Sequence, residues 1–167
     1  DVDRQGATPI KDVQLVRLLE GIPDSRWRLA VGLMACFGLR PVELNHIRVN
    51  GDKLAVTYKK RTARGKTRPG DVIGLDPEHL PGESLRVLRL LESGLTELPP
   101  LGKEDGDAAQ AVRTYLDRRA VWKSLKAELA AQGEKLTAYS FRHGYALRAH
   151  ERYELSARVT AALMRHS

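Results

Sequence analysis

The sequence predicts a mainly α-helical domain carrying one small β-hairpin, an α+β chain. Three observations predict it. Apolar residues recur at helical spacing through both ends of the chain. A central stretch, Leu54, Val56 and Tyr58, alternates instead with a period of two. The length, 167 residues, suits one domain with a sizeable single core.

The elements follow in order. Thr8-Pro9 predicts a helix start, a capping hydroxyl followed by proline at the first helical position. Ile10, Val13, Val16 and Leu19 form its stripe, widened by Leu15 and Leu18. Gly21 to Asp24 breaks this helix, and Ser25 is the candidate cap of the next. From Leu29 to Phe37 that helix is apolar almost all round, which marks it as the central buried helix. Gly38 stops it, and Pro41 opens a short helix with Val42, Leu44 and Ile47.

The first hairpin strand follows at Leu54–Tyr58. Thr62 to Thr67 is its basic tip, with Gly65 as turn residue, and Val72, Ile73 and Leu75 form the return strand. Leu80 to Ser93 reads as a helix with Leu85, Leu88 and Leu90 or Leu91 inward. Pro99 to Asp107 reads as a loop. Ala108 to Gln132 is a long helical region with a break point at Arg118-Arg119 and apolar positions Val112, Leu116, Trp122, Leu125 and Leu129. Gly133 ends it. Another helix starts within Thr137 to Ala149, and Ser156 caps a last one bearing Val159, Leu163 and Met164.

Charge narrows the function. Lys and Arg number 28 against 21 Asp and Glu, a net +7 that favours a polyanionic partner. The single Cys36 excludes an internal disulfide and suits a reducing, cytoplasmic compartment. No apolar run reaches the ~18–20 residues of a membrane span. Asp1-Val2-Asp3-Arg4 lacks the pattern of a signal peptide, and without an initiator methionine the chain reads as part of a longer protein. Aromatics are 5% of residues, too sparse for the stacking strands of an RNA binder. The basic cluster lies on a hairpin rather than an amphipathic helix, which disfavours a membrane-surface protein.

Four segments could carry chemistry. In Phe37-Gly38-Leu39-Arg40-Pro41-Val42-Glu43-Leu44, Arg40 lies between a glycine stop and a proline start, where free N–H groups and a guanidinium fork together suit phosphate. Glu43 could hold the guanidinium. Spacing alone favours an ordinary surface Arg–Glu pair. In Leu136–Gly144, Tyr139 and Arg142 are three apart on one helix face, with Phe141 and Ala146 toward the core. The plain alternative is a core tyrosine beside a solvated arginine. His166 follows an apolar helical run and is either ligand-facing or a helix-end histidine. Lys59, Lys60, Arg61, Arg64, Lys66 and Arg68 fall at the hairpin tip with no acid among them. They suit DNA phosphates, or else form a solvated loop.

The order of these segments resembles the catalytic domain of the tyrosine recombinases, the phage integrase family. Gly-Leu-Arg-x-x-Glu-Leu is similar to the family's first Arg motif, at Arg40 and Glu43. Tyr-Ser-Phe-Arg-His-Gly-Tyr-Ala is similar to its His-x-x-Arg box, at Arg142. Leu-Met-Arg-His-Ser is similar to its Leu-Gly-His-Ser, at His166. The likeness runs from Thr8 to Ser167. It implies the DNA breaking-rejoining type of fold, with catalytic Arg40, Arg142 and His166 and supporting Glu43. A hairpin lysine, Lys60 with Lys66 close behind, would protonate the leaving oxygen. Lys59, Arg61, Arg64 and Arg68 would bind DNA phosphates. No metal and no cofactor are implied.

Two positions depart from the family pattern. Tyr139 stands where the family has histidine. A phenol donates a hydrogen bond to phosphate, but with an ordinary pKa near ~10 it is a poor base. The family's nucleophilic tyrosine falls beyond the position of His166, and none of Tyr58, Tyr115, Tyr139, Tyr145 or Tyr153 takes that place. Residues 1–167 are thus expected to be a single catalytic domain without the amino-terminal DNA-binding domain or the carboxyl-terminal Tyr segment, unable to cleave by itself. The implied parent is a DNA-associated, prokaryotic or phage-type integrase of a mobile element, acting as a tetramer on double-stranded DNA, with this piece monomeric. The alternatives are a DNA-binding module that only positions phosphate and a type IB topoisomerase-like enzyme.

Overall fold

The computed structural model describes residues 6–50, 53–58, 61–62, 65–66, 70–72, 83–94 and 97–153. Six α-helices and a small set of antiparallel strands make up the described part, an α+β architecture.

The first helix, α1, spans Asp12–Glu20 and not Thr8 onward. The reason is tertiary. The Thr8 N–H donates to Lys135 O at 2.7 Å and the Ile10 N–H to Ser140 O at 3.1 Å, so this segment is extended against another part of the chain. Gln14 Oε1 instead accepts from the Lys11 N–H at the helix start. The stripe also shifts. Leu15 and Leu18 are buried, whereas Val13 and Val16 are 76% and 49% exposed.

Helix α2, Ser25–Phe37, is buried from Leu29 to Phe37, as its all-round apolar sequence predicts. Its cap is Asp24, whose Oδ1 accepts from the Arg26 N–H at 2.9 Å, rather than Ser25. Hydrogen bonding to Arg26 holds the exposed Asp24 carboxyl below its usual range. Gly38 ends α2 at φ +67°, and a Cβ there would run into the Tyr145 ring. Pro41–Asn45 is a short 3-10 helix, and Ile47 belongs instead to the next strand.

That strand, β1 (Ile47–Asn50), is one the sequence pattern does not predict. It pairs with β2, Lys53–Val56. Two short strands, β3 (Arg61–Thr62) and β4 (Gly65–Lys66), form a separate ladder with Thr62 opposite Gly65 and Arg61 opposite Lys66. Gly65 therefore sits in the returning strand, not the turn. The last strand, β5 (Gly70–Val72), pairs with the free side of β2 and completes a three-stranded sheet. Tyr58 lies just beyond β2, and Ile73 and Leu75 lie outside the described residues.

Helix α3 is Glu83–Ser93, with Val87 buried against Gly32 of α2. The side chains of Leu85 and Leu88 lie outside the described residues. Helices α4 (Asp107–Asp117) and α5 (Ala120–Ala130) divide at Arg118-Arg119. Val112, Leu116, Trp122, Leu125 and Leu129 are all buried, each worth about 1.5–3 kcal/mol for a large apolar side chain. Helix α6, Tyr139–Tyr153, packs on α2 and places Phe141 in the core. The predicted last helix after Ser156 lies outside the described residues. No described helix is long and apolar enough to cross a membrane.

Candidate functional site

The site forms where the carboxyl end of α2 meets the first turns of α6. Gly38 turns the chain, and Arg40 is extended, at φ −75° and ψ 151°. Pro41 then starts the 3-10 helix, which returns Glu43 beneath Arg40. Glu43 Oε1 accepts from the Arg40 backbone N–H at 2.7 Å. That bond fixes the carboxylate under the guanidinium in the manner of a capping box.

Helix α6 brings Arg142 to the same carboxylate. Its start is fixed by Thr137, whose Oγ1 accepts from the Tyr139 N–H at 3.1 Å and whose N–H donates to Ser140 Oγ at 3.0 Å. One turn into the helix, Arg142 Nη1 donates to Gly38 O. The same nitrogen lies 3.8 Å from Glu43 Oε1, while Arg40 Nη1 lies 3.6 Å from Glu43 Oε2. Relative exposures are 9% for Arg40, 2% for Glu43 and 4% for Arg142, so this is no surface pair.

Two guanidiniums share one carboxylate in a poorly solvated place. Breaking such an arrangement is costly, and an added phosphate oxygen would find two planar forks. The 3-10 helix contributes little directly, because Glu43 occupies the Arg40 N–H.

Among the other predicted residues, Tyr139 is half-buried at the first position of α6. Its hydroxyl makes no hydrogen bond among the described residues. Arg61 and Lys66 are placed by backbone register only, opposite each other in the β3–β4 ladder. Lys59, Lys60, Arg64, Arg68 and His166 lie outside the described residues.

Two participants are not singled out by the sequence. The Gly38 carbonyl anchors Arg142, although glycine in that place reads only as a helix stop. Tyr58 donates its hydroxyl to Asp105 Oδ2 at 3.4 Å and packs its ring against His46 at 5.1 Å. Burial pushes the Tyr58 hydroxyl pKa up, Asp105 and Glu43 add to this, and Arg40 opposes it. Tyr58 thus lies within the field of the cluster, immediately before Lys59-Lys60. That adjacency is the signal the sequence offers.

A cavity of about 480 Å³ opens elsewhere, between Trp27, Leu101, Gln110, Tyr115, Arg118 and Arg119. It includes none of the predicted site residues. Among the described residues, no cluster of three or more His, Cys, Asp or Glu is arranged to hold a metal ion. Comparison with protein families, curated proteins and solved structures found no match to this chain.

Proposed function

We propose that this chain is the catalytic domain of a tyrosine-type site-specific DNA recombinase, the integrase of a mobile element. The observation that carries the reading is the meeting of Arg40 and Arg142 at Glu43, from segments far apart in sequence. The order of motifs along the chain supports it, as does the run of basic residues from Lys59 to Arg68.

The reaction is phosphoryl transfer. A tyrosine oxygen supplied beyond Ser167 attacks a phosphorus of duplex DNA and passes its proton to solvent water. A 3′-phosphotyrosyl bond forms and the P–O5′ bond breaks. Lys60, or Lys66, gives the departing 5′-oxygen its proton. A 5′-hydroxyl of a partner strand then reverses the step. One phosphodiester replaces another, so no nucleotide is consumed. Negative charge gathers on the nonbridging oxygens, where Arg40, Arg142 and His166 stabilise it; losing one such donor costs ~10²–10³ in rate. Tyr139 donates a hydrogen bond to the same phosphate. The parent works as a tetramer on DNA.

The test uses nicked duplex substrates that release the cleaved fragment and so trap the covalent intermediate. The chain extended through the next tyrosine should yield a protein–DNA adduct, lost when that tyrosine becomes phenylalanine. DNA binding without any adduct would contradict recombinase chemistry and leave a module that only positions phosphate.

A further inference from the structure

Helix α6 is held from two sides. On one side lies the carboxyl end of α2, whose last carbonyls have no helical partners. Arg142 Nη1 donates to Gly38 O, and Arg148 Nη2 donates to Ala35 O at 2.8 Å. Both are cations set against the negative end of the α2 dipole, where cations are favoured.

On the other side lies the extended segment that precedes α1. Thr8 and Lys135 exchange two hydrogen bonds, with the Lys135 N–H donating to Thr8 Oγ1 at 3.1 Å. The Ile10 N–H reaches Ser140 O. Gly144 permits this approach, since a Cβ there would lie 2.8 Å from Ile10 O. The segment ends at Asp12, whose Oδ1 accepts from Arg148 Nη1 at 3.2 Å.

Arg148 is thus the second anchor of the helix that carries Arg142, and Asp12 is its counter-ion. Arg148 is buried, and its Nε finds no hydrogen-bond partner among the described residues. Burial lowers its pKa and the Asp12 carboxylate opposes that shift. Asp12 is half-exposed, so it can be changed without opening the core.

We propose that Asp12 is a positioning residue for Arg142: through Arg148 it sets α6 against the carboxyl end of α2 and aims the Arg142 guanidinium at the Glu43 site. The segment 8–12 is then a strap, and whatever pulls on it changes the geometry of the cluster. The consequence for DNA rests on the function proposed above.

The test has two arms. The first reads geometry without DNA, from the ¹⁵N–¹H resonance of the Arg142 guanidinium. Asp12→Asn should move that resonance, and Asp12→Glu should restore it. Asp24→Ala, which removes a cap at the far end of α2, should leave it in place. An unmoved Arg142 resonance in Asp12→Asn overturns the proposal. The second arm measures affinity for a short duplex DNA. Asp12→Asn should weaken binding roughly threefold or more. In an Arg142→Gln background it should add nothing, because the two act through one group. Equal losses in both backgrounds would also overturn the proposal. If Arg142→Gln itself leaves duplex affinity unchanged, the recombinase reading fails while the resonance arm still judges the positioning role.

Discussion

The carboxylate of Glu43 lies between the guanidiniums of Arg40 and Arg142, 3.6 Å from one and 3.8 Å from the other. All three groups are buried. Glu43→Gln keeps the shape and removes the charge, leaving two buried guanidiniums without their shared counter-ion. Breaking a buried pair costs about 3–5 kcal/mol. Urea unfolding should show a loss of that size; a loss below about 1 kcal/mol would mean the cluster is solvated like a surface pair.

Gly38 has two reasons to be glycine: its φ of +67° and the Tyr145 ring beside it. A left-handed conformation alone costs an L-residue roughly 1–2 kcal/mol. Gly38→Ala should exceed that, since the Tyr145 ring must also shift. The Arg142 anchor is the Gly38 carbonyl, so the same variant should weaken duplex binding. Unchanged thermal stability in Gly38→Ala would contradict this account of the turn.

Tyr58 predicts a specific alkaline limb. Its hydroxyl is neutral when protonated, and folding raises its pKa above the ordinary ~10, first through burial and then through Asp105. The unfolded chain therefore releases this proton at lower pH than the folded one. The contribution to stability is complete below pH ~10 and is lost as pH rises through the folded value. Thermal melts at successive pH values above ~9 should fall more steeply for wild type than for Tyr58→Phe. Parallel curves would contradict the assignment.

The basic run from Lys59 to Arg68 predicts a salt slope. If Lys59, Lys60 and Arg61 each neutralise a DNA phosphate, changing them to glutamine should flatten the plot of log affinity against log salt. The slope should change by roughly 0.9 for every phosphate left without its cation. An unaltered slope would place the DNA-binding cations elsewhere.

The helices are legible where burial decides them. The all-round apolar run of α2 and the Val112–Leu129 series are core in both sequence and structure. The α1 start is not legible, because Thr8 and Ile10 donate their N–H groups to Lys135 and Ser140, partners no local pattern reveals. β1 escapes because Ile47–Asn50 is short and its strand character comes from pairing with β2. At the site, spacing singles out Arg40, Glu43 and Arg142 but by itself favours an ordinary surface pair. Only the packing of α6 against α2 decides that. Asp12 and Arg148 carry no such signal, since their roles depend on an ion pair between distant segments.

If Arg40 and Arg142 grip one DNA phosphate, duplex binding by Arg40→Gln, Arg142→Gln and the double variant reports it. Each single change should weaken binding, and the double variant, which leaves that phosphate without a cation, should reduce the salt slope by about 0.9. Wild-type affinity and slope in all three variants would contradict the claim.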